Sequence, residues 1–178
     1  SEIRRKYGGA DWHALPVFRG YVELHDEYTG QKGIPASSEA LIGLVLRKGS
    51  IPNINTFVDI YNALSCLTGI SIGAHDLSKL DGTPRFEVLE RDRWFIRLGN
   101  QGTEKANRGE YCYLDEADII CRMDIKKCER TKVTLDTQNV FVIFQGHRHL
   151  GTHDLQRGID LLDHCISIIK NCDPFLLP

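Results

Sequence analysis

Asn55, Asp59 and Asn62 stand four and three residues apart, a spacing that puts them on one face of a helix or at its start. Two amides and a carboxylate so placed can act together, with Asn62 free to meet a ligand and Asp59 structural. Equally, Asn55 can cap the helix while Asp59 and Asn62 brace the adjoining loop. Further on, Arg122, Lys126, Lys127, Arg130 and Lys132 outnumber Asp124 and Glu129 in a short stretch. Such a local basic patch suits phosphate oxygens, although charge runs also serve simply as solvated faces. Within it, Glu129 reads either as a surface carboxylate paired with Lys126 or Arg130, an interaction worth little, or as a cleft carboxylate that accepts a hydrogen bond from a bound hydroxyl or amine. His147, His149 and His153 cluster within seven residues. Imidazoles two apart can ligate a metal from an extended strand, but no Cys or carboxylate spacing completes a closed site, so no metal is expected.

The background to these groups is nearly neutral. With a net charge of -2, no global field draws the chain onto a polyanion, and any nucleic-acid contact must be local. The six cysteines form no C-x-x-C pair and fall in no zinc spacing, so they read as reduced, mostly buried thiols. The segment Gly99-Asn100-Gln101-Gly102 does not follow the strand-loop-helix pattern that cradles phosphates; no dinucleotide or ATP site is expected, and no cofactor. No run of about 18 apolar residues is present and no basic-then-apolar leader opens the chain, which argues against a membrane partner and for the cytoplasm. Ser1 in place of Met suggests upstream residues.

These groups need elements to position them. At 178 residues and 42% hydrophobic composition, the chain suits one domain, residues 1–178, able to bury roughly 70% of its unfolded surface. Residues 1–33 have poor periodicity and support no assignment. Ser37 and Ser38 then cap a short amphipathic helix that stops at Gly49, and a second helix follows over Asn53–Leu64 with its stop at Gly69. The period next falls toward two: Arg85–Leu89, Trp94–Leu98, Glu110–Leu114, Ile119–Met123 and Val140–Phe144 read as strands. From Asp154, Leu155, Ile159, Leu162, Ile166 and Ile169 recur at helical spacing until Pro174. The expected fold is α+β, a mixed or antiparallel sheet of about five strands flanked by helices.

Two stretches carry a resemblance. Ile54-Asn55, Val58-Asp59-Ile60-Tyr61-Asn62, Gly69 to Asp76 and Gly82 match in order a signature of the tRNA-binding and editing module, the B-three/B-four module, of the phenylalanyl-tRNA synthetase beta subunit. Gly109-Glu110, Asp115, Arg122, Glu129 and Thr137-Gln138-Asn139-Val140 are similar to its later half, with no gap between Asp115 and Thr137. Pro35 to Leu41 and Leu46 to Gly49 look more like the stand-alone proteins of the family, which carry an additional N-terminal segment. The match spans roughly residues 37 to 145.

The resemblance implies a pocket for the aminoacylated 3′ end of tRNA, in which water cleaves a wrongly attached amino acid from the ribose. An aminoacyl ester is already activated, so positioning a water and excluding the correct amino acid can suffice. By position, Asn62 touches the substrate, and Glu129 recognises the polar end of the amino acid. Tyr61 replaces a Thr of the family and reshapes the amino-acid pocket. Gly73 replaces a His, leaving space for the terminal adenosine beside Ala74, while His75, two residues on, stands on the same side of an extended segment and can orient a water or ribose hydroxyl. His75 and Glu129 are thus the catalytic candidates, with Asn62, Tyr61, Gly73 and Ala74 binding substrate and Arg122, Lys126, Lys127, Arg130 and Lys132 binding tRNA. A non-catalytic binder of tRNA or of an amino acid is the alternative, and an interaction module that kept the fold is a third.

Overall fold

The structure, a computed structural model, describes residues 2–9, 11–29, 32–99 and 102–172. Helix α1 (Glu2–Tyr7), a 3-10 turn (Trp12–Ala14) and helix α2 (Pro16–Tyr28) form the stretch whose periodicity is weak. Pro16 opens α2, where its fixed φ suits a first turn. The pattern is poor because α2 buries Phe18, Gly20, Tyr21 and His25, a set that does not read as an apolar stripe. Gly20 is required by packing: a Cβ there would sit 2.1 Å from His147 Nδ1.

Helix α3 (Ser37–Lys48) and helix α4 (Thr56–Thr68) stand where periodicity places them, with Gly49 and Gly69 as left-handed stops. Asn55 caps α4, its side chain accepting from Val58 N at 2.9 Å, and Asp59 accepts from Ile54 N at 3.0 Å. Ser37 and Ser38 do not cap α3; they are its first two residues, and its Ser37 N–H donates to Asp124 at 3.0 Å. The long helix α5 (Thr152–Cys172) closes the fold; Pro174 and residues 100 and 101 lie outside the described residues.

The strands form three small antiparallel sheets rather than one of about five strands. Strand β1 (Ser71–Asp76) pairs with β8 (Val140–Gln145). Strands β2 (Arg85–Val88), β5 (Tyr111–Leu114), β6 (Ile119–Arg122) and β7 (Lys126–Lys127) form a second sheet in that order, and β3 (Arg93–Ile96) and β4 (Thr103–Ala106) a separate hairpin. The division follows burial. Strand β2 is exposed along its length and β3 buries only Phe95, whereas β1 is held beneath α4 and α5 by Phe57, Leu64, Ile72 and Leu162. A second core of Leu89, Phe95, Leu114, Ile119 and Ile120 binds the hairpin to the four-stranded sheet. A third joins α1, α2 and α3 through Ile3, Tyr7, Phe18, Ile42 and Val45. Tyr21 ties α2 to β1 and β8 where these two strands begin and end: its Oη accepts from Ser71 N at 2.8 Å and donates to Gln145 O at 2.7 Å.

Candidate ligand-binding cleft

Two adjoining chambers open beside β1. The inner one, about 20 Å³, is lined by Ser71, Gly73, His75, Asp124, Lys127 and Gln145 among others. The outer one, about 460 Å³, lies between α3 and the β6–β7 turn; its apolar wall includes Leu41, Leu44, Ile72 and Ile125, and its polar groups are Ser37, Asn62, Lys126 and Lys127. Ser37, Ile72 and Lys127 border both. Sites for small molecules commonly occupy roughly 300–1,000 Å³, and one water needs only about 10–15 Å³. The outer chamber is therefore ligand-sized and the inner one water-sized.

His75 is buried on β1, with Nδ1 2.7 Å from Thr131 Oγ1. Thr131 Oγ1 in turn lies 3.0 Å from Cys128 Sγ. Nε2 of His75 is buried with no hydrogen-bond partner among the described residues. Burial, with Lys127 and Arg130 nearby, pulls its pKa down to about 3, so the ring is neutral at physiological pH. In the tautomer whose Nδ1–H donates to Thr131, Nε2 is free to accept, which is the arrangement that holds a water by one of its protons.

Lys127 divides the chambers. Its Nζ donates to Tyr61 Oη at 3.2 Å and lies 5.0 Å from the centre of the Tyr61 ring. A Cβ on Gly73 would fall 3.0 Å from Lys127 Cε and 3.3 Å from Nζ. The space expected for a terminal adenosine over Gly73 is thus taken by the end of the Lys127 side chain. Ala74, the next residue, is buried in the core between α4 and β1 and does not face a ligand. This corrects its reading as a substrate contact, because alternate residues of a strand point to opposite sides.

Asp124 completes the inner chamber. It stands on a three-residue turn between β6 and β7 whose first member, Met123, has φ 47°, a left-handed conformation uncommon outside Gly, Asn and Asp. The turn aims the Asp124 carboxylate at His25 Nε2, 2.6 Å away, and at Ser37 N.

The B3/4 domain family matches residues 27–161. The chain belongs to this family. It is 28% identical over 107 residues to the phenylalanine–tRNA ligase beta subunit of Mycoplasma pneumoniae, covering 60% of the chain and 13% of that protein. The chain thus spans about an eighth of the curated relative's length. An N-terminal fragment of the phenylalanyl-tRNA synthetase beta subunit from Pyrococcus horikoshii superposes with a TM-score of 0.53 at 15% identity, over 62% of this chain and 39% of that one. At that identity the likeness is one of fold.

Within this B3/4 domain, Asn62, Gly73, His75, Lys126 and Lys127 gather at the cleft, with Tyr61 in the core behind Lys127. Glu129 does not: its carboxylate accepts from Gly99 N at 2.7 Å and pairs with Lys132, and it borders neither chamber. Arg122 is also corrected. It is fully buried, donating to Glu110 at 2.5 Å and to Glu104 at 3.3 Å, and cannot reach a phosphate outside. Arg130 turns both ends of its fork inward, to the two oxygens of Asp115 at 2.7 and 2.8 Å and to Lys79 O at 2.8 Å. His147 is packed against Tyr21, His149 bonds Glu23, and among the described residues no group of three His, Cys, Asp or Glu side chains is placed to hold a metal ion. No helix of the described residues is long and apolar enough to cross a membrane.

Sequence reasoning missed His25, Ser37, Ser71, Asp124 and Gln145. The one available signal was Asp124 itself, the lone acid between Arg122 and Lys127. Its partner His25 is 99 positions away.

Proposed function

We propose that the protein hydrolyses the ester between an amino acid and the 3′ end of tRNA, standing apart from any synthetase active site. The observation that carries this reading is the buried, partnerless Nε2 of His75 beside a water-sized chamber that adjoins a ligand-sized one. A water accepted there would present its oxygen to an ester carbonyl entering from the outer chamber. With a pKa near 3, His75 is too weak a base to take the proton outright at neutral pH; its contribution is to fix the water's position. The attacking oxygen forms the new bond to the carbonyl carbon, the ribose oxygen leaves, and the water's proton passes to that leaving oxygen through solvent. Among the described residues no serine or cysteine of the cleft is hydrogen-bonded to His75, so no covalent intermediate is expected.

Asn62 at the outer chamber is placed to hold the amino-acid or ribose end by hydrogen bonds. Lys126 at the mouth, with Lys132 beyond, would meet the acceptor phosphates. The test is to incubate the protein with a panel of mischarged tRNAs and follow ester loss. Turnover of at least one of them, slowed for every substrate alike by His75→Ala, is the expected result. A panel left intact by the unmodified protein, with tRNA still bound, would favour a second reading: a non-catalytic tRNA-binding module. The engagement of Glu129 by Gly99 N and Lys132 favours that second reading, because the carboxylate expected to select the amino acid is not at the cleft.

A further inference from the structure

The side chain of Lys127 stands where the two chambers meet. Among the described residues no carboxylate forms an ion pair with it. One of its three N–H donors goes to the Tyr61 hydroxyl, and the centre of the Tyr61 ring is 5.0 Å away, so the ammonium is held in place without being neutralised. Two donors remain. Asp124, the acid in the lining of the inner chamber, is already engaged by His25 and by Ser37 N–H. A fixed, unpaired cation between a water-sized and a ligand-sized space suits an anion that forms only during reaction.

Its place relative to His75 fits attack on an ester. Lys127 Nζ lies 3.3 Å from where a Cβ on Gly73 would stand, and His75 follows two residues later on β1. Alternate residues of a strand share a side and are displaced by roughly 6–7 Å, which leaves room for a water on Nε2 and a carbonyl group between that water and Nζ. The charge of Lys127 reaches the imidazole: after burial, it is the largest cause of the low His75 pKa.

We infer that Lys127 is a catalytic residue, the donor that receives the oxyanion of the tetrahedral intermediate, a role that rests on ester hydrolysis as the reaction. As the water oxygen bonds to the carbonyl carbon, the carbonyl π pair moves onto its oxygen and the water gives up a proton to solvent. The oxyanion then faces the free N–H donors of Lys127. When the pair returns, the bond to the ribose oxygen breaks and that oxygen takes a proton from solvent. Repulsion between Lys127 and the substrate's α-ammonium is present before and after the carbon becomes tetrahedral, so it weakens binding without slowing the chemical step. Attraction for the oxyanion arises only at that step. Gly73 leaves room for the lysine and Tyr61 steadies it.

Two measurements test this. On a mischarged tRNA that the unmodified protein hydrolyses, Lys127→Met should lower kcat about 100-fold or more while KM stays the same or falls. Tyr61→Phe keeps the ring in the core and removes only the hydroxyl, so it should lower kcat by less, about tenfold. An unchanged kcat in Lys127→Met, or a loss confined to KM, would overturn the inference and leave hydrolysis standing.

The second measurement needs no turnover. Calorimetry compares two stable analogues of phenylalanyl-adenosine, one with a neutral amide in place of the ester and one with a phosphonate, whose tetrahedral anion stands for the oxyanion. The phosphonate should bind about tenfold or more tighter than the amide. Lys127→Met should erase that difference while binding the amide at least as well. Equal binding of the two, binding of neither, or a preference that survives Lys127→Met would overturn the inference. A tRNA panel left intact sinks hydrolysis instead, and a phosphonate preference that depends on Lys127 would then still uphold the anion contact.

Discussion

His25 Nε2 lies 2.6 Å from Asp124 Oδ1, with both side chains almost wholly buried. The other ring nitrogen, Nδ1, is 3.0 Å from the carbonyl of Ile34. An imidazole facing two acceptors must donate from both nitrogens, so the ring is held as an imidazolium. Burial pulls its pKa down, but the hydrogen bond and charge of Asp124 outweigh this and raise it above the ordinary value. The same partnership outweighs the upward pull of burial on Asp124 and lowers its pKa.

Removing the charge on one side should be costly. Asp124→Asn leaves a buried imidazole without its counter-ion and is expected to destabilise the protein by about 3–5 kcal/mol in chemical denaturation. Because the folded pKa of His25 is raised, its contribution is complete below pH 6.5 and lost as pH rises through the folded value. Stability of the unmodified protein should therefore decline on the alkaline side of 6.5, and Asp124→Asn should remove that decline.

His75 should act in the opposite direction. Its folded pKa, about 3, lies below its ordinary value of 6.5, so the unfolded chain takes up a proton that the folded one refuses. Stability should fall as pH drops from 6.5 toward 3, by up to about 1.4 kcal/mol per pH unit. In His75→Gln the slope between pH 6 and 4 should flatten by nearly one proton, measured as denaturation midpoints across that range.

The buried Arg122 and the outer lysines should separate cleanly. Arg122→Met removes the buried cation between Glu104 and Glu110 and should cost about 3–5 kcal/mol of stability. Lys126→Ala and Lys132→Ala should leave stability within about 0.5 kcal/mol, since such exposed or half-exposed charges contribute little. Each should lower the salt slope of tRNA binding by about one. An unchanged slope in both lysine variants would remove them from the RNA surface.

Gly73→Ala offers a mild probe of the cleft. The new methyl would meet the far end of a flexible side chain, so Lys127 should swing aside at a stability cost of less than about 1.5 kcal/mol. Its hold on Tyr61 would be lost with it. Tyrosine absorbance and fluorescence should change accordingly, while the fold, followed by circular dichroism, stays intact.

The helices that frame the site were legible because their signals are local: Asn55 caps α4 three residues before the N–H it satisfies, and Gly49 and Gly69 stop α3 and α4 where the apolar period ends. The core strands were legible by alternation, as at β5, where Cys112 and Leu114 point inward. The split into three sheets was not, because β1 looks like any mixed stretch until β8, 64 or more positions later, pairs with it. Of the site, the motif positions around His75 could be read, but the partners that define their roles come from afar. Arg122 looks cationic and exposed in sequence; only Glu104 and Glu110, on elements folded against it, make it a buried structural group. Lys127 likewise reads as one more surface charge until Tyr61, 66 residues earlier, receives it.

The Tyr21 hydroxyl bridges the end of the β1–β8 pair, and His25 holds the Asp124 turn, yet both residues precede position 27, where similarity to the B3/4 family begins. The limit of recognisable ancestry is therefore not the limit of the cooperative unit. A fragment trimmed to residues 27–161 would leave Ser71 N and Gln145 O without the Tyr21 hydroxyl and the Asp124 carboxylate without His25, and would strip Leu162 from the core under β1. Such an excised piece should behave as a collapsed, protease-sensitive chain, and α2 should resist limited digestion in the intact protein as long as the cleft does.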